Sequence, residues 1–162
     1  HGDHLDSTAV AVLSTEKTVF LSTPVVAETT DAQILGINET YSYKDKFTVQ
    51  GVPAYNCTEG HENFHPQSRN DLGFVIECDG FRVYVAGDTE DIPELAGLMD
   101  VDVAFLPVNQ PYTMTADQCI AAAETIRPKV LYPYHYSNTD LTPIVEHFSN
   151  DNGVEVRSRQ LQ

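Results

Sequence analysis

Basic residues are scarce. Nine Lys and Arg stand against 24 Asp and Glu, a formal charge of −15, and no Lys/Arg cluster is present to follow a phosphate backbone. Nucleic acid is therefore not an expected partner, and RNA processing is disfavoured with it. Cysteine is nearly as thin: Cys57, Cys78 and Cys119 are odd in number, widely spaced and free of any CxxC pairing. That pattern argues against a disulfide framework and a thiolate zinc site, and leaves small buried hydrophobes as the expectation. Long apolar runs are missing too. The greasiest stretches, "VDVAFLPV" and "GFRVYVAG", are strand length, against the roughly 20 residues a membrane-spanning helix needs. No membrane segment is expected. The sequence starts inside a motif, so the lack of a visible signal peptide says little, and the expected compartment is the cytoplasm.

What is there suits one packed domain over residues 1–162, since 41% of the chain is hydrophobic and only 20% charged. "STAVAVLST" predicts a short helix starting at Ser7 or Thr8, "TVFLS" a strand, and "TPVVAETTDAQI" a further helix that Gly36 ends. "TYSY" and "FTVQGVPAY" alternate as strands and lead into the long polar stretch "NCTEGHENFHPQSRND". Long irregular loops in compact domains usually carry function. In "GFVIECDGFRVYVAGD", Asp79-Gly80 sits between two alternating apolar runs and predicts a tight hairpin. "DIPELAGLM" reads as a short helix, and "VDVAFLPVN" as a strand buried on both faces. Thr115 and Gln118 form a capping-box pattern ahead of an alanine-rich helix that Pro128 ends. "KVLYPYHY" is a buried strand, "DLTPIVEHF" a last helix and "VEVRSRQ" a closing strand. Alternating strands and helices make the class α/β.

Four polar clusters fall where strands run out: "HGDH" at residues 1–4, "HENFHP" in the long loop, "AGDT" after the hairpin and "PYHY" after the late strand. Loops carried at sheet ends are where α/β proteins gather chemistry. Imidazole and carboxylate suit zinc, iron or manganese, and no thiolate joins them. Taken singly, "AGDT" is an ordinary turn and His135 an ordinary histidine; together and in this order they are a candidate metal centre. Asp6 reads either as an acceptor for a histidine ring N–H or as a helix-start carboxylate. His147, beside Glu146 on an amphipathic helix, reads as surface.

H-x-D-H, a later His, G-D-T after a strand and a late His after an apolar strand resemble the metallo-β-lactamase superfamily in order. Its first motif, His-x-His-x-Asp-His, is met from its second histidine onward, with His1, Asp3 and His4 on the matching positions. "VYVAGDTEDIPELAGLMDVDVAFLPVNQPYTMT" looks most like the branch that includes the L-ascorbate-6-phosphate lactonases. The resemblance implies a four-layer αββα sandwich that lacks its first strands in this chain, an N-terminally truncated domain. It implies two divalent metals, zinc with manganese or iron as alternatives. His1 and His65 would bind the first, Asp3, His4 and His135 the second, and Asp88 would bridge them; Asp3 and Asp88 would be the catalytic carboxylates.

His61 competes with His65 for the loop position. In the resembled branch the "FHP" form carries the ligand, while the position of Asn56 holds a histidine in other members. The implied activity is attack of a metal-held hydroxide on an ester, lactone or phosphoester of a small-molecule substrate. Tyr55, Tyr112, Tyr134 and Tyr136 lie beside the ligand-bearing stretches and read either as donors to an oxyanion or as structural residues. The alternative is a non-catalytic metal-binding or scaffold member of the same fold. An iron-dependent redox member would call for a flavin-binding segment, which is not seen. Missing strands would also leave apolar sheet bare and pairing with a second copy open.

Overall fold

A computed structural model describes residues 2–28, 30–150 and 153–161. Two compact units are present, His1–Ile34 and Leu35–Gln162. The first opens with a single 3-10 turn over Gly2–His4 and continues into helix α1, Ser7–Leu13. Asp6 caps that helix: its Oδ1 accepts the amides of Thr8 at 2.8 Å and Ala9 at 3.1 Å, so its carboxylate serves the helix start. Strand β1, Leu21–Ser22, pairs in parallel with β2, Gln33–Ile34, and a single helical turn, α2 at Pro24–Ala27, lies between them. Two expectations are corrected here. The strand at "TVFLS" is only two residues long, and the helix predicted up to Ile34 ends at Ala27. Two valines and a Thr-Thr-Asp run make this stretch a poor helix former, and the strand pair takes its end.

The second unit is built on one seven-stranded sheet whose spatial order follows chain order. Strands β3 (Thr40–Tyr43), β4 (Phe47–Pro53), β5 (Leu72–Cys78) and β6 (Phe81–Val85) form an antiparallel meander. Asp79 and Gly80, at φ +51° and +80°, make the predicted β5–β6 turn, both in the left-handed region that a two-residue hairpin of this kind requires. From β6 the sheet turns parallel through β7 (Val103–Pro107), β8 (Val130–Tyr134) and β9 (Glu155–Val156). The three crossovers are a 3-10 turn at Pro93–Gly97, helix α3 at Ala116–Ile126 and helix α4 at Thr142–Phe148. The turn stands where a short helix was expected, and β9 is shorter than the stretch read as the closing strand.

Helix α3 starts in the predicted capping box. Thr115 Oγ1 accepts the Gln118 amide at 3.1 Å and Gln118 Oε1 accepts the Thr115 amide at 2.9 Å, a pairing worth about 1 kcal/mol. It ends at Arg127, in the left-handed conformation at φ +53°, with Pro128 next.

The core lies between the sheet and these helices. Tyr84, Ala104, Leu106 and Leu131 are fully buried against Cys119, Ala122, Ala123 and Ile126 of α3 and Ile144 and Phe148 of α4. The alternate residues of the same strands form the opposite face, because side chains alternate along a strand. There Val49, Ile76, Val83, Val103 and Val130 make one row across the sheet, and Phe74, Val85, Phe105 and Tyr132 the next. Phe105 and Tyr132 stack at 5.0 Å. Ile76 is 37% exposed and Phe81, at the hairpin, 52%. The expectation that "VDVAFLPVN" is buried on both faces is thereby corrected, since Val103 and Phe105 are only half-buried. This unit supplies one sheet and the helices on one side of it, half of an αββα arrangement, with an apolar face where a sandwich packs its second sheet. No helix among the described residues is long and apolar enough to cross a membrane.

Candidate metal centre

Two strand ends and one loop build the site in the second unit. Strand β6 runs out through Gly87, whose φ of +68° and closeness to the Leu72 carbonyl oxygen, 2.9 Å from where a Cβ would stand, suit glycine alone. Asp88 follows, nearly buried. Beyond β8, His135 holds a left-handed φ of +51°, and its amide donates to the Leu161 carbonyl at 2.9 Å. A non-glycine residue in that region stores strain, which gathers at functional sites. The long loop returns His65 to the same place: the Asn56 amide donates to the His65 carbonyl at 2.9 Å, and the His65 side chain is buried.

The two oxygens of Asp88 face two imidazoles. His65 Nε2 lies 3.1 Å from Oδ2, and His135 Nε2 lies 3.8 Å from Oδ1. The partners of the other His65 nitrogen are decisive. Nδ1 is 3.0 Å from the Tyr112 carbonyl oxygen and 3.1 Å from Asn56 Oδ1, and the Asn56 amide is oriented by its own Nδ2, which donates to that same carbonyl at 2.9 Å. Both neighbours of Nδ1 are acceptors, so Nδ1–H serves them and Nε2 is the atom turned toward the carboxylate. Two imidazole nitrogens and a carboxylate converging in this way are a donor set that fits a divalent metal, and the bond from Nδ1–H to an oxygen is the usual second interaction of a metal-binding histidine.

His135 has its own amide neighbour, with Nδ1 3.3 Å from Asn109 Nδ2. Thr113 fixes Asn109 through two bonds of 2.8 Å, its hydroxyl accepting the Asn109 amide and its own amide donating to the Asn109 carbonyl. A half-turn of the Asn109 carboxamide presents Oδ1 instead, the atom a metal-binding His135 needs. In the first unit, Asp3 Oδ2 and His4 Nε2 are 3.6 Å apart in the opening turn, both exposed. His1 lies outside the described residues.

His61 is turned elsewhere, its Nδ1 3.4 Å from Glu90 Oε1. Glu90 is fully buried and also accepts the amides of Cys57 at 2.7 Å and Thr58 at 2.6 Å. Burial alone would raise its carboxyl, but the Thr58 and Cys57 amides, the Thr58 hydroxyl and His61 hold it below the usual carboxylate range. Burial, with Glu90 beside it, pushes the Cys57 thiol up to about 11, and burial pushes Cys119 up to about 12. Neither offers a thiolate at neutral pH.

The tyrosines divide. Tyr55 donates to Glu94 Oε2 at 2.9 Å, and burial together with that carboxylate raises its hydroxyl to about 12. Tyr136 donates to the Arg159 carbonyl at 2.8 Å, and Tyr112 contributes its carbonyl to His65. Tyr134 is raised by burial and by the Asp88 charge nearby. His147 sits at the surface, 2.8 Å from Glu124 Oε1. Sequence reasoning did not single out Asn109, Glu90 or the Tyr112 carbonyl. The one available signal was the clustering of Asn56 and Asn109 beside ligand-bearing stretches.

Residues 1–135 match the family described as Beta-lactamase superfamily domain, and a crystal structure of a protein from Parabacteroides distasonis, provisionally named a metal-dependent hydrolase, superposes with a TM-score of 0.94 at 42% identity. The chain belongs to the metallo-β-lactamase superfamily. That structure is covered over 73% of its length by 100% of this chain. Igni18, a metallo hydrolase from Ignicoccus hospitalis, superposes at a TM-score of 0.77 and 23% identity, over 99% of this chain and 72% of that one, a likeness of fold. A UPF0173 metal-dependent hydrolase of Thermus thermophilus is 33% identical over 145 residues, 85% of this chain. Another, of Archaeoglobus fulgidus, is 28% identical over 169 aligned residues, 99% of this chain and 72% of the relative. The chain spans 62% of the length of the Thermus relative, 63% of one from Thermococcus kodakarensis and 37% of one from Natranaerobius thermophilus. The superfamily fold and the metal-dependent character of the named relatives agree with the donor set around Asp88.

Proposed function

We propose that this chain carries the metal-binding residues of a hydrolase that cleaves an ester, lactone or phosphoester bond in a small molecule, in the manner of the lactonase-like branch. The observation that carries the reading is the pair of imidazole Nε2 atoms on the two oxygens of Asp88, with His65 Nδ1 committed to oxygen acceptors. His65, His135 and Asp88 are the ligands this unit offers. By the superfamily resemblance, His1 and His65 would serve the first cation, Asp3, His4 and His135 the second, and Asp88 both. Bound divalent cations, zinc or else manganese or iron, supply an activated water and stabilise a developing oxyanion. The chain's own part is to orient: the Tyr112 carbonyl and Asn56 hold the His65 ring, the strained turn aims His135, and the Asp88 charge offsets the repulsion between cations. The acidic balance of the chain keeps nucleic acid out of the substrate range. The apolar sheet face makes pairing with a second copy part of the same proposal.

Metal analysis tests this in the full-length protein. Near-stoichiometric divalent metal is expected, with chelator-sensitive turnover of generic lactone, ester or phosphodiester substrates. His65→Ala is expected to lower metal content by one site, and His61→Ala to leave it nearly unchanged. The reverse ranking would transfer the ligand role to His61. Absence of both metal and turnover would favour a scaffold that keeps the fold without the chemistry.

A further inference from the structure

Two residues beyond Asp88, Glu90 is a fully buried carboxylate that the ligand assignment does not use. Its partners are all on the long loop: the amides of Cys57 and Thr58 at 2.7 and 2.6 Å, and the His61 ring at 3.4 Å. A buried carboxylate is tolerated only where donors replace its water, and removing it leaves those donors stranded. The residue between Asp88 and Glu90 acts on the loop as well. Thr89 Oγ1 accepts the Tyr55 amide at 3.2 Å and donates to the Tyr55 carbonyl at 3.1 Å, and that carbonyl also accepts the Glu90 amide at 3.0 Å. Asn56 is thus held from both sides, through Tyr55 before it and Cys57 and Thr58 after it. Asn56 is also the residue that fixes His65, by its amide to the His65 carbonyl and its side chain to the ring.

We propose that Glu90 is a positioning residue that ties the loop presenting His65 to the strand end presenting Asp88. Resting on the metal-centre reading given above, this assigns the spacing of two ligands to a residue that binds no metal. The three residues Asp88, Thr89 and Glu90 do two jobs in succession: the first faces the imidazoles, and the next two hold the loop on which one imidazole arrives. A carboxylate with two short amide bonds is a stiff tether, since bonds to a charged acceptor are about twice as strong as neutral ones.

The test uses Co(II) as the probe in the full-length protein, with amide hydrogen exchange on the metal-free form. In Glu90→Ala the Cys57 and Thr58 amides are expected to exchange at least about tenfold faster, and Co(II) affinity to fall roughly 10- to 100-fold, the range for lost outer-shell partners of metal ligands. Glu90→Gln keeps a carbonyl oxygen for both amides and is expected to restore most of each loss. His61→Ala removes only the third partner and is expected to leave both readouts near wild type. If Glu90→Ala does not fold, Glu90→Asp carries the test, because it keeps the charge but withdraws the oxygens by one methylene; faster exchange and weaker Co(II) binding are again expected. A folded Ala or Asp variant with wild-type protection at Cys57 and Thr58, or with unchanged Co(II) affinity and absorption spectrum, overturns the proposal. If wild type binds no Co(II), the metal-centre reading fails, and the exchange measurement alone decides whether Glu90 holds the loop.

Discussion

Asp88 faces an imidazole on each of its oxygens, and its charge is the property that a neutral replacement removes without changing its shape. Asp88→Asn is expected to keep far-UV circular dichroism near wild type while metal content falls and hydrolysis drops by orders of magnitude. A folded Asn variant with full metal and near-normal turnover would reduce Asp88 to a turn residue. The types and order of His65, Asp88 and His135 were legible because imidazole and carboxylate at strand ends form a pattern. The residues that orient them were not. Asn109 and the Tyr112 carbonyl reach the histidines from a loop some 26 to 47 positions away in sequence, and an amide or backbone oxygen that turns a ring carries no spacing signature.

At the level of elements, the parallel strands are pinned at their entry ends by Asp102. Its Oδ2 accepts the Arg82 amide at 2.8 Å and its Oδ1 accepts from Lys129 Nζ at 2.6 Å, while its backbone bonds Arg82 on β6 and Val130 on β8. The Lys129 ammonium, then the Arg82 amide, hold its carboxyl below the ordinary value of 3.8. A depressed folded value means stability that is present above the ordinary value and lost as pH falls through the folded one. Asp102→Asn is therefore expected to lower Tm at neutral pH, with the gap from wild type closing as pH drops below about 4. A gap that is constant from pH 7 to pH 2 would show that only shape matters there. Elements carrying their own local signals were legible: the Asp79-Gly80 hairpin, the Thr115–Gln118 box and the Pro128 stop all stand as read. The stretch from Pro24 to Ile34 was not, because a two-residue parallel pairing has too few residues to show a period.

The whole molecule presents an apolar sheet face under a strongly acidic surface charge. Phe47, Ile76 and Phe81 are its most exposed members, at 41%, 37% and 52%, and a contiguous patch of this kind seeks cover. The charge of −15 opposes contact between two copies. The chain alone is expected to bind an apolar dye and to self-associate more as salt rises, because salt screens the repulsion within about 10 Å at 0.1 M. Ile76→Lys with Phe81→Lys should weaken both effects without loss of secondary structure. A dye-silent monomer at all salt concentrations would show that the face is covered. The α/β class was legible from strand and helix alternation, whereas one-sided burial of β7 was not, since a continuous apolar run reads the same whether one face is packed or two.

Strand order has one more consequence. Asp88 leaves β6 and His135 leaves β8, with β7 between them. Neighbouring strands lie about 4.8 Å apart, so the two chain exits stand roughly 10 Å from each other, a separation set by backbone hydrogen bonding. The sheet acts as a gauge. The width of the gap is fixed in units of whole strands, and only side-chain torsions remain to fit it to the radius of the ion it takes.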